Sequence, residues 1–368
     1  MSEIESLHVY RGDKLRLARL AKGLSLDKIG SVLDVTKQNV SKMESGQEPK
    51  DYQFELLCKE LGVDKKFFYA ERSVPVVEEQ CHFRSVRART KTITNTVMAR
   101  AELLSGLISE IESYYEITDF DIPLEGDFEL INSESIEKIS EYLRREWELG
   151  LGPISDITIV LENAGVIVTT IDGVDEKVDA FSLSRKRPII IRNNAKNSPC
   201  RYRFDLAHEL GHLIMHDGIV TGCKLTEKQA NYFASAFLMP RAGFCKAVES
   251  FPIIRGIRSI NWVNLNKLKL HFKVSFKALL YRAKVLGLIT EDQMRSGYRY
   301  INKKGWTKDE PSDNQIPFEK PELLEMMING IGFGKWNKVL EKLGLTNSII
   351  GEILPDTRLP KNNLILIK

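Results

Sequence analysis

The stretch "RFDLAHELGHLIMHDG", residues 203–218, sets two histidines four apart around a glutamate in a run that is otherwise mostly apolar. On a helix, positions four apart share a face, one turn above the other. His208 and His212 can therefore present imidazole nitrogens to one metal ion, with Glu209 beside the first. The spacing is H-E-x-x-H, the pattern of zinc hydrolases. The residue types suit that chemistry. Zn²⁺ accepts neutral imidazoles and a carboxylate, keeps one position for water and lowers that water's pKa to about 7. A neighbouring carboxylate then takes the proton and returns it to a leaving amine. Residue frequencies put a chance match in a chain this long on the order of 1%. Leu206, Ala207, Leu210, Leu213 and Ile214 make the helix apolar nearly all round, hence central to a core. A Glu209 buried there without a partner would cost several kcal/mol; a water at the metal supplies one.

A third ligand must come from elsewhere. His216 lies one turn beyond His212, but ligands at i, i+4 and i+8 drift round the helix and spread too far along it to enclose one ion. It reads as a structural or rim histidine. The next helix is "LTEKQANYFASAFLMP", residues 225–240, with Thr226 and Gln229 as its capping box and Pro240 past its end. Glu227 at its start is the better candidate for the metal, and Asn231 one turn on can accept the N–H of a ligand histidine. The competing reading of Glu227 is a first-turn acid favoured by the helix dipole.

Three short, β-branched segments precede the site helix: "GVIVTTID" (165–172), "DAFSL" (179–183) and "RPIIIRN" (187–193). A strand such as the last can align an extended substrate by edge pairing. Upstream, residues 91–118 read as a long amphipathic helix with Val97, Ala101, Leu104, Leu107, Ile108 and Ile111 on one side. It can pair with a copy of itself or cover a neighbouring domain of its own chain. Residues 119–132 read as loop, Ser133 caps a helix running to Leu149, and Pro153 opens another reaching Ala164. Residues 275–287 and a tail over 320–350 are helical, the tail following a polar, Pro-containing linker.

The chain's 368 residues imply two or three domains. An apolar fraction of 43%, a charged fraction of 28% and a net charge of +3 describe a soluble globular protein. No apolar run reaches the roughly 18 residues a membrane span needs. So small a positive balance is no nucleic-acid signature, and any DNA contact must come from local patches. The five cysteines, Cys58, Cys81, Cys200, Cys223 and Cys245, are scattered and form no C-x-x-C. That excludes a disulfide framework or cysteine zinc knuckle and fits the cytoplasm. The acidic opening "MSEIESLHVYRGDK" lacks the apolar core of a signal peptide.

The N-terminal end carries a second signal. Helices over 13–21, 26–33, 37–44 and 51–62 are short, capped by residues such as Ser25 and Thr36, and joined by tight turns, as a helix-turn-helix requires. Leu24, Ile29, Leu33, Val35, Val40, Met43, Leu56, Leu57 and Leu61 form its apolar set. Thr36, Lys37, Gln38, Asn39, Ser41 and Lys42 face outward on the third helix, where donor-rich side chains suit base edges and phosphates of double-stranded DNA. The region 1–70 is nearly charge-balanced, so phosphate affinity is modest unless a dimer or the basic stretch Arg84, Arg87, Arg89 and Lys91 contributes.

Two resemblances follow from these residues. "GLSLDKIGSVLDVTKQNVSKMESGQ" resembles the phage-repressor (Cro/C1, or XRE) helix-turn-helix, which implies an ion pair between Arg19 and Glu44 fixing two helices. "RFDLAHELGHLIMH" followed by "TEKQANYFASAFLMP" resembles the ImmA/IrrE metallopeptidases, over roughly residues 150–300. That resemblance implies Glu227, first acid of E-x-x-A-N, as third ligand, a small sheet packed on the site helices, and a zinc-dependent endopeptidase whose substrate is a helix-turn-helix repressor or antitoxin. Its transition-state stabiliser is not legible; Tyr202, Arg203 and His271 stand unranked.

The expected fold is α+β and mostly helical: an all-α helix-turn-helix domain over 1–70, a linker over 71–90, a zincin-like metallopeptidase domain over 91–304, and a tail over 305–368. Within the metallopeptidase domain, 91–165 is helical and 150–300 is the catalytic core. The expected function is a DNA-targeted zinc endopeptidase switching a stress, prophage or toxin–antitoxin response. It cleaves another repressor or its own linker between Glu71 and Thr96. The alternative is a transcriptional regulator whose metallopeptidase-like domain is a sensor or dimerisation module.

Overall fold

The computed structural model describes residues 9–71, 74–77, 81–83, 91–116, 120, 132–171, 180–193, 198–219, 221–255, 259–307 and 309–361. The basic residues Arg84, Arg87 and Arg89, and nearly all of the loop over 119–132, lie outside them.

The N-terminal helices are α1 (Gly12–Ala21), α2 (Leu26–Leu33), α3 (Lys37–Glu44) and α4 (Asp51–Leu61), followed by a 3-10 turn at Lys65–Phe68. Local chemistry sets their limits. Ser25 Oγ accepts the N–H of Lys28, Thr36 Oγ1 accepts that of Asn39, and Asp34 turns left-handed (φ 52°) between α2 and α3. The apolar set differs at one position. Leu56 is 40% exposed, because the buried face of α4 runs through Phe54, Leu57 and Leu61.

Next come β1 (Cys81–Phe83), α5 (Lys91–Glu112), α6 (Ser133–Glu146) and α7 (Ile157–Asn163). Pro153 does not open α7. Asp156 does, its carboxylate accepting the N–H of Ile159 at 3.0 Å, the stronger cap of the two. The strands β2 (Ile167–Ile171), β3 (Ala180–Leu183) and β4 (Ile189–Asn193) lead to α8 (Pro199–Met215) and α9 (Lys224–Leu238). The chain continues through α10 (Arg241–Ser250), a small hairpin of β5 (Ile254–Arg255) and β6 (Ser259–Ile260), α11 (Trp262–Phe272), α12 (Phe276–Val285) and α13 (Glu291–Lys303). It closes with α14 (Leu323–Gly330), α15 (Gly332–Leu343) and α16 (Asn347–Ile353).

The larger sheet has the order β1-β3-β4-β2, with β2 and β4 parallel and the other pairs antiparallel. Strand β4 is thus paired on both sides, so "RPIIIRN" has no free edge to offer a substrate. The segment expected to be linker supplies the strand at one edge. Both faces of β2, β3 and β4 are buried, and successive side chains point to opposite faces. Ile167, Ile171, Phe181, Leu183, Ile189 and Ile191 join one core with α1–α5 and α14–α16. Val168 and Ile190 join a second core with α6–α13.

The tail packs on the N-terminal helices. Trp336 is fully buried, Asp64 donates its N–H to the Gly344 carbonyl at 2.9 Å, and Lys66 pairs with Glu341 at 2.6 Å. Gly344 sits at φ 65° against the backbone of Phe67, where a Cβ would come within 2.2 Å of the amide nitrogen, so only glycine fits. Two carboxylates cross between tail and α7. Glu319 accepts the N–H groups of Ile157 (3.0 Å) and Thr158 (3.1 Å), while Glu162 accepts that of Leu323 (3.0 Å). The apolar face of α5 is covered within the chain, against α1, α14 and α15. Among the described residues, no helix is long and apolar enough to cross a membrane.

Candidate metal centre

Helix α8 starts where Ser198 accepts the N–H of Arg201 and Pro199 takes the first turn. From there it runs through the second core with His208, Glu209 and His212 at most 1% exposed. Helix α9 starts one turn earlier than its expected capping box. Cys223 is the cap, its sulfur accepting the N–H of Thr226, and Thr226 is already the third helical residue. Glu227 therefore faces α8 from the first turn of α9, and Gln229 is released from capping.

The geometry converges on one point. His208 Nε2 and His212 Nε2 are 3.1 Å apart, His208 Nε2 is 3.5 Å from Glu227 Oε2, and His212 Nε2 is 3.4 Å from Glu227 Oε1. A tetrahedral zinc ion with the usual nitrogen and oxygen bonds sets its ligands roughly 3.3 Å apart. The three separations lie close to that spacing. Glu227 Oε1 is buried, with His212 Nε2 as its polar neighbour at 3.4 Å. Burial works against the charge of Glu227, but hydrogen bonds from His208 and His212 outweigh it and hold its pKa down at about 2. Burial pushes His212 down to about 3, so its imidazole is neutral, the form a metal takes.

Each of these two histidines has a polar partner behind it. Asn231 Oδ1 lies 3.2 Å from His208 Nδ1, and the Asn231 amide donates to the Glu227 carbonyl at 2.7 Å. His212 Nδ1 lies 2.9 Å from His216 Nδ1, and His216 Nε2 lies 3.0 Å from Gln229 Oε1. Were His212 Nε2 to hold a metal, its Nδ1 would carry the proton and His216 Nδ1 would accept it. His216 Nε2–H would then donate to Gln229. His216 is fully buried behind His212, not at a rim. Glu209 Oε2 accepts from Ser182 Oγ at 2.7 Å. Neither contact had a signal in the sequence. Ser182 is an ordinary strand residue 27 positions away, and Gln229 had a plausible capping role.

Two of the three unranked residues are engaged elsewhere. Arg203 pairs with Glu319 and donates to the Ile154 carbonyl at 2.6 Å, and Tyr202 lies under the Arg192 guanidinium. His271 is exposed on α11.

At the N-terminal end, Arg19 Nε and Nη2 donate to Glu44 Oε1 (2.5 Å) and Oε2 (3.1 Å), a bidentate pair joining α1 to α3. Lys37, Gln38, Asn39, Ser41 and Lys42 are exposed on α3. Thr36 is exposed too, but its hydroxyl is used as the α3 cap.

Comparison with known proteins finds two separate matches. Residues 15–68 match the helix-turn-helix family and residues 161–284 match the IrrE N-terminal-like domain, a metallopeptidase family. No curated protein matches the chain. A solved structure, a Mycobacterium tuberculosis transcriptional regulator, aligns over 41% of this chain at 18% identity with a TM-score of 0.31. The aligned part is 47% of that regulator, an overlap too loose to bear on function.

Proposed function

We propose that this chain is a zinc-dependent endopeptidase carried to DNA by its own helix-turn-helix domain, and that its substrate is a repressor-type regulatory protein or antitoxin. The observation that carries the reading is the convergence of His208, His212 and Glu227 on one point, with Glu209 next to His208 on α8. His208, His212 and Glu227 would hold the ion, which supplies Lewis-acid polarisation and a lowered water pKa. Glu209 is the base: it takes a proton from water and hands it to the departing amine. Ser182 fixes the Glu209 carboxylate, and Asn231 and His216 fix the imidazole tautomers. The buried, apolar setting strengthens each of these polar contacts. The DNA role rests on α3, whose exposed lysines and amides suit phosphates and base edges.

One observation favours a second reading, a transcriptional regulator sensing through the metal domain. The helix-turn-helix group shares a core with one face of the sheet whose other face supports α8. A change at the metal can therefore reach the DNA-binding helices by packing alone. Glu209→Gln separates the two, since it keeps size and hydrogen bonding but removes the base. Comparative proteomics of wild type and Glu209→Gln after DNA damage should show a shortened repressor only with the former. A cellular phenotype that survives Glu209→Gln but is lost on Lys37 and Gln38 substitution would give the regulator reading precedence.

A further inference from the structure

The sheet beside the metal site has a strand that comes from another part of the chain. β1 belongs to the segment between the helix-turn-helix group and α5, and it forms the outer edge next to β3. Its register is Cys81 to Leu183, His82 to Ser182 and Phe83 to Phe181. The middle pair meets the residue whose hydroxyl holds Glu209. No other strand of this sheet offers a comparable edge among the described residues. β4 is paired on both sides, and the open side of β2 is at the far end of the sheet.

The approach to β1 is tied down. Arg185, two residues past β3, donates to the carbonyls of Val74 (3.1 Å) and Pro75 (2.8 Å). Val76 is buried, and its N–H donates to Glu102 Oε2 at 3.3 Å. The same strand end that carries Ser182 thus anchors the segment leading into β1.

We propose that the outer edge of β3 is the docking edge for an extended polypeptide substrate, and that β1 is its resident occupant, a tethered pseudosubstrate. The inference rests on the peptidase reading and names where the substrate pairs. Backbone ladders tolerate many sequences, so an edge strand suits a protein substrate without a fixed motif. Three residues of pairing are fewer than the five or six of an average strand, so β1 is a weak plug. Its tether supplies the local concentration that keeps it in place. An incoming extended substrate competes with it directly.

The test uses the full-length, zinc-loaded chain and the double variant His82→Pro/Phe83→Pro, which removes backbone donors from the β1 ladder. The probe is a quenched fluorescent pool of random decapeptides. Its hydrolysis is followed in the active chain and its binding in a Glu209→Gln background. Hydrogen exchange is read at residues 180–183 and 189–193. The variant should lose protection at 180–183 alone, bind the pool more tightly and hydrolyse it about tenfold faster, as when an edge occupied about 90% of the time becomes free. Arg185→Ala, which leaves the ladder intact, should move binding and turnover the same way by a smaller factor; it carries the test if the double variant does not fold. Unchanged binding and turnover after edge protection is lost would reduce β1 to sheet closure and overturn the proposal. So would zinc-dependent cleavage of the chain between residues 78 and 90, which would make β1 a substrate. Tighter binding without turnover in any chain would leave the docking edge standing and remove the peptidase reading. Turnover indifferent to β1 would do the reverse.

Discussion

Ser182 on β3 donates its hydroxyl hydrogen to Oε2 of Glu209 on α8 across 2.7 Å, joining the sheet to the proposed base. Glu209 is 1% exposed, so solvent cannot replace that contact. A buried hydrogen bond to a charged group is worth about 1.5–3 kcal/mol. Ser182→Ala should therefore lower kcat about 10- to 100-fold while zinc affinity stays within about twofold. Steady-state kinetics beside a zinc titration checks this; an unchanged kcat would place the orientation of Glu209 elsewhere.

The partners behind the ligands should appear in metal affinity. His216→Phe leaves the His212 N–H without its acceptor, and Asn231→Leu does the same to His208. Each should weaken zinc binding about 10- to 100-fold, and Gln229→Leu, one hydrogen bond further out, should weaken it less. Competition against a chromogenic chelator measures all three. Equal affinities across the set would mean that the rings are held by packing alone.

The close crossing of α8 and α9 depends on Gly211. A Cβ there would stand 2.9 Å from the Phe233 ring, which is itself stacked on Phe237. Gly211→Ala should cost about 1–3 kcal/mol of stability through overpacking, although alanine is the better helix former. Denaturant unfolding of the metal-free protein reads this directly, and a stabilised variant would show that α9 can yield.

Metal-free protein should be acid-labile from near neutrality. His212 titrates at about 3 in the folded chain against 6.5 ordinarily, because burial disfavours its charge. Glu227 titrates at about 2 against 4.5, hydrogen bonds from the two histidines outweighing burial. In both cases the unfolded chain takes up a proton first as pH falls. Stability is then full above about 6.5 and drains as pH drops towards 3, with Glu227 adding its share below about 4.5. Denaturant midpoints at pH 7.5 and 5.5 should differ in that direction, and His212→Gln should shrink the difference.

On DNA, Lys37→Ala and Lys42→Ala should each weaken binding across sequences and reduce the salt slope by about 0.9 for each phosphate that the lysine had neutralised. Gln38→Ala should alter base preference more than the slope. Binding isotherms over a range of salt, on specific and scrambled duplexes, distinguish the two effects. An unchanged slope at unchanged affinity would move the interface off α3.

Local patterns were legible wherever partners sit within a turn or two. Residues four apart on a helix must share a face, so His208 and His212 needed no tertiary information. Ser25, Thr36 and Gly62 mark helix ends in the N-terminal group because cap chemistry acts within three or four residues. Expectation and structure parted where two local signals competed. Pro153 against Asp156, and Thr226 against Cys223, were settled by which group reached an unpaired N–H.

The sequence by itself determined the helix that holds the two imidazoles, the carboxylate beside them and the two-part character of the chain, all consequences of helical periodicity and short-range capping. Tertiary structure alone decided that Ser182 grips Glu209, that His216 and Gln229 stand behind His212, that the tail closes on the N-terminal helices and that β1 lies along β3. Those contacts join residues far apart in the chain, and their partners are chosen by burial and strand pairing, which leave no periodic trace in either segment.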